Sequence, residues 1–337
     1  MDFNFDVLTI GTATRDVFLQ SELFKSFKDE HFNSQSGFPT GEAECFSFGS
    51  KIEISIPIFT TGGGATNAAT TFARHGFQTA SAIAIGKDDA AKAILAEFKR
   101  EGIKPVITRV KDKGTAYSTI LLSTSGERTI LVYRGAADLI KSTSLKTIKP
   151  KWVYVAPGGI EIKKIKKIVD ALKLNGAQFA MNPSGFYLKQ GLKTMAPILE
   201  NLEVVILNRE EAALLTGIAY EDAAGIFKKM DEFIKGIVVM TDGPRGVLVA
   251  DGKNIYKAGI FKEEKLVDRT GAGDAFGSGF LAGLMMHKDI QYAIRLGSAN
   301  ATSVVEKIGA KAGILHKEEL EKSLRWQNLE VSTEKLV

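Results

Sequence analysis

A single cysteine, Cys45, leaves this chain of 337 residues without an internal disulfide, so its fold has to rest on a buried core. No apolar run approaches the roughly 18 residues of a membrane span. The first residues, MDFNFDVLTIG, carry acids where a secretory signal would carry basic groups. Both absences lead us to expect a cytoplasmic protein with no membrane partner. HExxH and CxxC pairs are missing, and the four histidines, His31, His75, His287 and His316, lack ligand spacing, which argues against a protein zinc site. A Walker A loop is missing too, because the glycine required before Gly86-Lys87 is Ser81 and the next position is Asp88. GTATRD at 11–16 does not have the spacing of a dinucleotide fingerprint, so a dehydrogenase sheet has no support. No basic patch interleaved with aromatics is present to bind nucleic acid. The formal charge of +5 is scattered, and in its densest group, EIKKIKKIVDALK, Ile162, Ile165, Val169 and Leu172 fall at helical spacing and leave the lysines on a solvated face.

With 45% hydrophobic residues the chain can bury a large core, in one big domain or two modest ones. An apolar run at 5–10 opens it, and from Lys151 the rhythm is regular: WVYVA at 152–156, AQFAMNP at 177–183, VVILN at 204–208 and GIVVMTDG at 236–243, with helical stretches between. Near-continuous apolar strands alternating with helices predict an α/β fold, a doubly wound and mostly parallel sheet covered on both faces. Two stretches depart from that rhythm. KIEISIPIF at 51–59 alternates strictly, and TAYSTILLSTSGERTILVYRG at 115–135 has a Ser-Gly turn between β-branched runs. Both predict half-exposed antiparallel strands in a small sheet that stands off the main body. Residues 21–50, rich in Phe, Ser, Gly and charge, read as a long connection.

Two glycine clusters carry the chemistry. In LVDRTGAGDAFGSGF at 266–280, Asp274 follows a Gly-Ala-Gly run and precedes a helix on which Phe276, Phe280 and Leu284 share a face. Free amides and the positive helix end make an anion site there, and a carboxylate beside it suits phosphoryl transfer to an alcohol. The same Asp would also serve as a helix cap. In TTGGGATNAATTFARHGF at 60–77, Ala65, Ala69, Phe72 and Ala73 predict a small-residue buried face. The backbone of Gly63 and Gly64 and the amide of Asn67 could hold a hydroxyl-rich ligand; close helix packing with a tight turn is the alternative.

With both clusters in view, the chain resembles the ribokinase-like, or PfkB, family of carbohydrate and nucleoside kinases over nearly its whole length. One family signature resembles Gly63-Gly64-Ala65-Thr66-Asn67 with Gly76 beyond. The other resembles residues 268–274 followed by Gly277-Ser278-Gly279, about two hundred residues later. The resemblance implies one kinase domain across 1–337, a mostly parallel sheet between helices with a small β-sheet lid inserted at about 14–59 and 114–135. It implies Asp274 as the base, with Gly271, Ala272 and Gly273 as the anion hole. Asp16, Gly63, Gly64 and Asn67 would bind the acceptor.

On the donor side, NREE at 208–211 resembles the family's N-x-x-E element, which puts Asn208 and Glu211 near the phosphates and Glu211 near a hydrated magnesium ion (Mg2+). By itself NREE would read as a helix cap with early acids. Asn182, Thr241, Gly243 and Gly246 resemble nucleotide-side elements. Ser298 stands where many relatives carry Asn or His, and Arg269 where a small residue is usual; Arg269 would be solvated or would add a cation near the phosphates. The resemblance allows a monovalent cation such as K+ at Asp268 and Thr270 beside the Gly309 region. It implies ATP as donor and a sugar hydroxyl as acceptor. A nucleoside is the alternative, since Phe24, Phe27, Phe32, Phe38, Phe46 and Phe48 in the 17–50 connection could stack on a base. A phosphosugar stays open as acceptor despite the absence of an obvious arginine clamp, and a non-catalytic sugar- or nucleotide-binding regulator is weakened by the intact Asp274. A homodimer through the lid is a further implication.

Overall fold

A computed structural model describes residues 3–33, 35, 41–123, 128–145 and 148–336. Ten strands form the main sheet in the order Lys104–Arg109, Thr79–Ile85, Phe3–Gly11, Ile148–Ala156, Gln178–Met181, Val204–Asn208, Ile237–Thr241, Val247–Ala250, Asn254–Ala258 and Val331–Lys335. The first seven run parallel. The last three add antiparallel after a tight reversal at Gly243–Arg245. The apolar runs are continuous because each strand feeds two cores. Leu8, Ile10, Val153, Val155, Phe179, Met181, Val205 and Leu207 point into one. Val7, Tyr154, Ala180, Val204 and Ile206 point into the other. The helices Ile162–Lys173, Gly191–Leu199, Arg209–Thr216 and Ala223–Asp231 cover the first face. The second is covered by Gly64–Arg74, Ala272–His287 and Ile290–Val305. In Ile162–Lys173, Ile165, Ile168, Val169 and Leu172 are buried and Lys163 and Lys167 are exposed, as the spacing predicts. Among the described residues no helix is long and apolar enough to cross a membrane.

A second sheet orders its strands Ile58–Gly62, Thr14–Gln20, Ala116–Leu122 and Arg128–Tyr133. Its outer pairs are antiparallel, as predicted, and its inner pair is parallel. The predicted Ser-Gly turn lies outside the described residues. The expectation of a strand through 51–59 is corrected: only Ile58 onward pairs, and Ile54 and Ile56 are exposed. Pro57, without an N–H, cannot donate to a ladder, and the residues before it bond to the second sheet through Ser21 Oγ to Glu53 O and Ser55 N to Gln20 O rather than in a ladder.

The long connection is not without structure. Lys25–Lys28 and Glu42–Cys45 pair antiparallel, and the rings of Phe24 and Phe46 meet edge-on at 5.5 Å. Phe38 lies outside the described residues. The Gly86-Lys87-Asp88 run serves as a helix start, with the Asp88 side chain accepting from Ala91 N and Thr115 N.

Candidate active site

Both glycine clusters form corners at helix starts that face each other: the strand Ile58–Gly62 runs directly into Gly64–Arg74, while residues 259–270 lead into Ala272–His287. Gly271 is left-handed, at φ 80°, and caps the helix Ala272–His287 with no side-chain hydrogen bond; a Cβ there would run into Ala310. Asp274 sits in that helix's first turn. At the other corner Gly63, at φ 94°, caps Gly64–Arg74, and a Cβ on it would strike the Thr12 backbone. The corners meet where Asn67 Nδ2 donates to Asp274 Oδ2 at 2.8 Å. A Cβ on Gly64 would stand 3.5 Å from Asp274 Oδ1, so the bare backbone is what leaves room beside the carboxylate.

Small residues hold the two helices this close. Ser278 Oγ donates to Asp274 O at 2.6 Å and lies 2.8 Å from Thr71 Oγ1. Asn300 Nδ2 donates to Ala275 O at 2.8 Å while its Oδ1 accepts from Leu315 N. Burial pushes the Asp274 carboxyl up from its ordinary value, opposed by the Asn67 hydrogen bond and the positive charge of Lys311. Asn67 Oδ1 is buried and has no partner among the described residues.

Asp16 lies on the lid strand Thr14–Gln20, opposite Thr60. It is buried, and that burial raises its carboxyl while hydrogen bonds from Thr14 and Ser118 and the charges of Lys311 and Arg15 pull it back. Thr14 Oγ1 donates to Asp16 Oδ1 at 2.8 Å. Any Cβ on Gly62 would collide with Asp16 Oδ2.

At the carboxyl ends of the neighbouring strands, NREE forms a capping box. Asn208 Oδ1 accepts from Glu211 N at 2.8 Å, and Glu211 Oε2 accepts from Asn208 N at 2.9 Å. Burial raises the Glu211 carboxyl, and the charges of Asp274 and Glu210 add to that. Asn182 Nδ2 donates to Ile206 O at 2.9 Å, stitching two strand ends.

A cavity of about 230 Å³ opens beside the second corner and gathers Thr241, Gly243, Gly246, Ala272, Gly273 and Ser298. Ile260, Leu266, Phe276, Ala301 and Val305 give it apolar walls, and exposed Arg269 stands at its rim. Asn182, Asn208 and Glu211 are not among its lining residues. A larger hollow of about 330 Å³, between Leu145 and the helix Ile162–Lys173, touches neither glycine cluster, so volume alone does not choose the site. Asp268 is buried under the corner. Its Oδ1 accepts from Thr270 N and Thr270 Oγ1 at 2.9 and 2.6 Å, and its Oδ2 from Gly309 N at 3.0 Å.

Sequence reasoning missed Gly62, Thr71 and Lys311. Gly62 belongs to the same glycine triplet, and Thr71 lies one helical turn beyond Asn67, so spacing could have found both. Nothing local marks Lys311.

Residues 42–317 match the model of the family described as pfkB family carbohydrate kinase. The chain is 31% identical over 251 residues to an uncharacterized sugar kinase of Archaeoglobus fulgidus, a match covering 72% of this chain and 96% of that one. To the adenosine kinase of Saccharomyces cerevisiae it is 26% identical over 294 residues, covering 80% and 85%. Among solved structures, the ribokinase of Arabidopsis thaliana complexed with ribose and ATP superposes with a TM-score of 0.74 at 19% identity, covering 96% of this chain and 99% of that one, a likeness of fold alone.

Proposed function

Because the chain belongs to the pfkB family of carbohydrate kinases and is a sugar or nucleoside kinase, we propose that it transfers the terminal phosphoryl group of ATP to a sugar hydroxyl, with Asp274 as base. The observation that carries this reading is the 2.8 Å bond between Asn67 and Asp274, which joins the two glycine corners around one carboxylate with bare backbone beside it. The acceptor hydroxyl lies against Gly63 and Gly64, where Asp274 takes its proton as the new O–P bond forms. Asn67 orients the carboxylate, and its second amide atom, the unpartnered Oδ1, is available to an acceptor hydroxyl. Asp16 accepts from hydroxyls further along the acceptor. The first amides of the helix Ala272–His287, at Gly271, Ala272 and Gly273, face the transferring charge with the positive helix end behind them.

The cavity beside this corner suits a flat apolar base, with Ser298 as its polar contact and Thr241, Gly243 and Gly246 along the nucleotide. Asn182, Asn208 and Glu211 flank the phosphates, and Arg269 at the rim is placed to add a positive charge once they are bound. Among the described residues no group of three or more His, Cys, Asp or Glu could hold a metal alone. A magnesium ion would therefore be held by phosphate oxygens and water, with Glu211 reaching it through water, and would supply charge neutralisation on the transferring group. Asp268 accepts three hydrogen bonds, two on Oδ1 from Thr270 and one on Oδ2 from Gly309 N, so its carboxylate keeps a lone pair on Oδ2 that a monovalent cation could share. No step is assigned to potassium.

A sugar acceptor is favoured by the 31% identical relative, named a sugar kinase. A nucleoside is the second reading, favoured by exposed Phe27, Phe46 and Phe48 on the segment between the lid strands Thr14–Gln20 and Ile58–Gly62. The exposed Ile130, Leu131, Val132 and Tyr133 of the lid's outer strand suit a homodimer through the lid. We place the enzyme in the cytoplasm, where ATP and a small hydroxyl-bearing acceptor would both be at hand. The test is ADP release with ATP and magnesium over a panel of sugars, phosphosugars and nucleosides, run beside Asp274→Asn. A hit lost in the variant is expected; a hit that survives the substitution removes Asp274 as base.

A further inference from the structure

The segment from Gly309 to Ile314 is assigned no step in the chemistry above, yet it touches the anion-hole corner, the lid strand Ile58–Gly62 and the helix Gly64–Arg74. Gly309 N donates to Asp268 Oδ2 at 3.0 Å, and Ala310 is the residue against which Gly271 of the anion-hole corner packs. On the other side, a Cβ on Gly309 would stand 3.0 Å from Thr60 Cγ2 of the lid strand. Lys311 Nζ donates to Thr61 Oγ1 of that strand at 2.8 Å and lies 3.0 Å from Glu97 Oε1, while Thr61 Oγ1 itself donates to Glu97 Oε2. Arg74, at the end of the helix that starts at Gly64, donates to Lys311 O at 3.1 Å and Ile314 O at 2.8 Å, and pairs with Glu101 at 3.0 Å. Lys311 and Glu97 are both buried.

A buried ion pair is weak ground for stability. Desolvating both charges costs several kcal/mol, and apolar residues of similar volume often serve a fold as well or better. What such a pair does supply is register, because ammonium, hydroxyl and carboxylate must all be satisfied together. We propose that Lys311 is a positioning residue: with Thr61 and Glu97 it locks the foot of the lid to the loop that shapes the anion hole, so that closing the lid and ordering the amides at 271–273 happen as one event. The proposal rests on the roles given above to Asp16 and Asp274. The charges around the ammonium agree with it. Lys311 faces Glu97, Asp16 and Glu101, and its charge also reaches Asp274, favouring the ionised forms of the two carboxylates at the acceptor.

The experiment compares Lys311→Met with the double substitution Lys311→Met, Glu97→Met, in the full chain. The single variant leaves Glu97 buried without its partner and should melt lower. The double variant removes both charges and should regain the wild-type melting temperature. Three further readouts separate register from mere stability: kcat and KM for the acceptor, ATP hydrolysis without acceptor, and hydrogen exchange of the amides at 58–62 and 268–273. In the double variant we expect kcat lowered roughly tenfold at near-constant nucleotide binding, a larger share of hydrolysis, and faster exchange at both segments. Recovery of full activity together with stability, or faster exchange at only one segment, overturns the proposal. If wild-type protein phosphorylates nothing in the panel, the acceptor assignment fails on its own, and the exchange at the two segments still decides whether they are coupled.

Discussion

The corners at 60–67 and 268–274 share one local design, a glycine with positive φ at the N-cap of a helix that carries no side-chain cap. They differ in depth. Residues 65–72 of the first helix are all buried, and Gly64 N donates to Thr12 Oγ1, so that end is already enclosed. At the second, Gly273 is exposed and a Cβ on it would meet nothing within 4 Å. An enclosed helix end suits an uncharged hydroxyl, because a bare charge there would lose its hydration; an open end suits a phosphate that arrives with water and metal. On the proposed roles, burial, more than glycine pattern, would divide the labour.

The sharpest way to break that contrast is Asp274→Asn. Turnover should fall by roughly 10²–10⁴-fold, the range of a lost general base, with calorimetric nucleotide affinity nearly unchanged. Residual turnover close to wild type would make the corners interchangeable. Next comes Gly271→Ala against Gly273→Ala. The first forces a Cβ into a left-handed position against Ala310 and should lose about 1–2 kcal/mol or more of stability in denaturant titration; the second should lose well under that.

Asn67→Leu sharpens the comparison from the enclosed side. Burial already holds Asp274 above its ordinary value, so kcat/KM should fall as pH drops through that raised pKa, where the carboxyl keeps its proton. Removing the Asn67 donor takes away a group that favours the ionised form, and the acid limb should move to higher pH. A limb that moves down, or stays, would sever the link between the corners.

The smallest expected effect concerns stability only, at the far end of the enclosed helix. His75 is buried, which lowers its pKa from 6.5 to about 4. Between those values the unfolded chain takes up a proton that the folded one refuses, so stability should decline as pH falls from 6.5 toward 4. His75→Gln should flatten that decline in a melting-temperature series.

The two-sided apolar strands were legible because a sheet buried on both faces has no polar face to interrupt its runs. Leu8 and Ile10 enter one core and Val7 the other, and all three read as one hydrophobic stretch. The glycine corners were legible as well, since positive φ and close approach restrict both positions to one residue type. The lid was legible only in part. Alternation at 51–57 mimics a strand, but Pro57 interrupts it, and the backbone bond from Ser55 N to Gln20 O does not extend into a ladder. The true extra pair, KSFK with EAEC, has no apolar face; its only signature is opposite charge, as in Lys28 and Glu42, 3.6 Å apart. NREE was ambiguous and stays double, because its hydrogen bonds are those of a capping box while its position is at the strand ends where ligands gather. Lys311 was invisible because its partners, Thr61 and Glu97, lie more than two hundred residues away in the chain.

The reversal at Gly243–Arg245 has a consequence for how such a chain can change. In chain order the residues that line the cavity, from Thr241 to Val305, stand beside or after it, while Asp16, the glycine triplet and the four strands of the second sheet all come before it. A hydrogen bond from Asn67 to Asp274 joins these two inventories. Asp16 and Gly63 lie outside that cavity's lining, so on the proposed reading the acceptor side can be altered at those positions while Thr241, Gly243, Gly246 and Ser298 stay as they are.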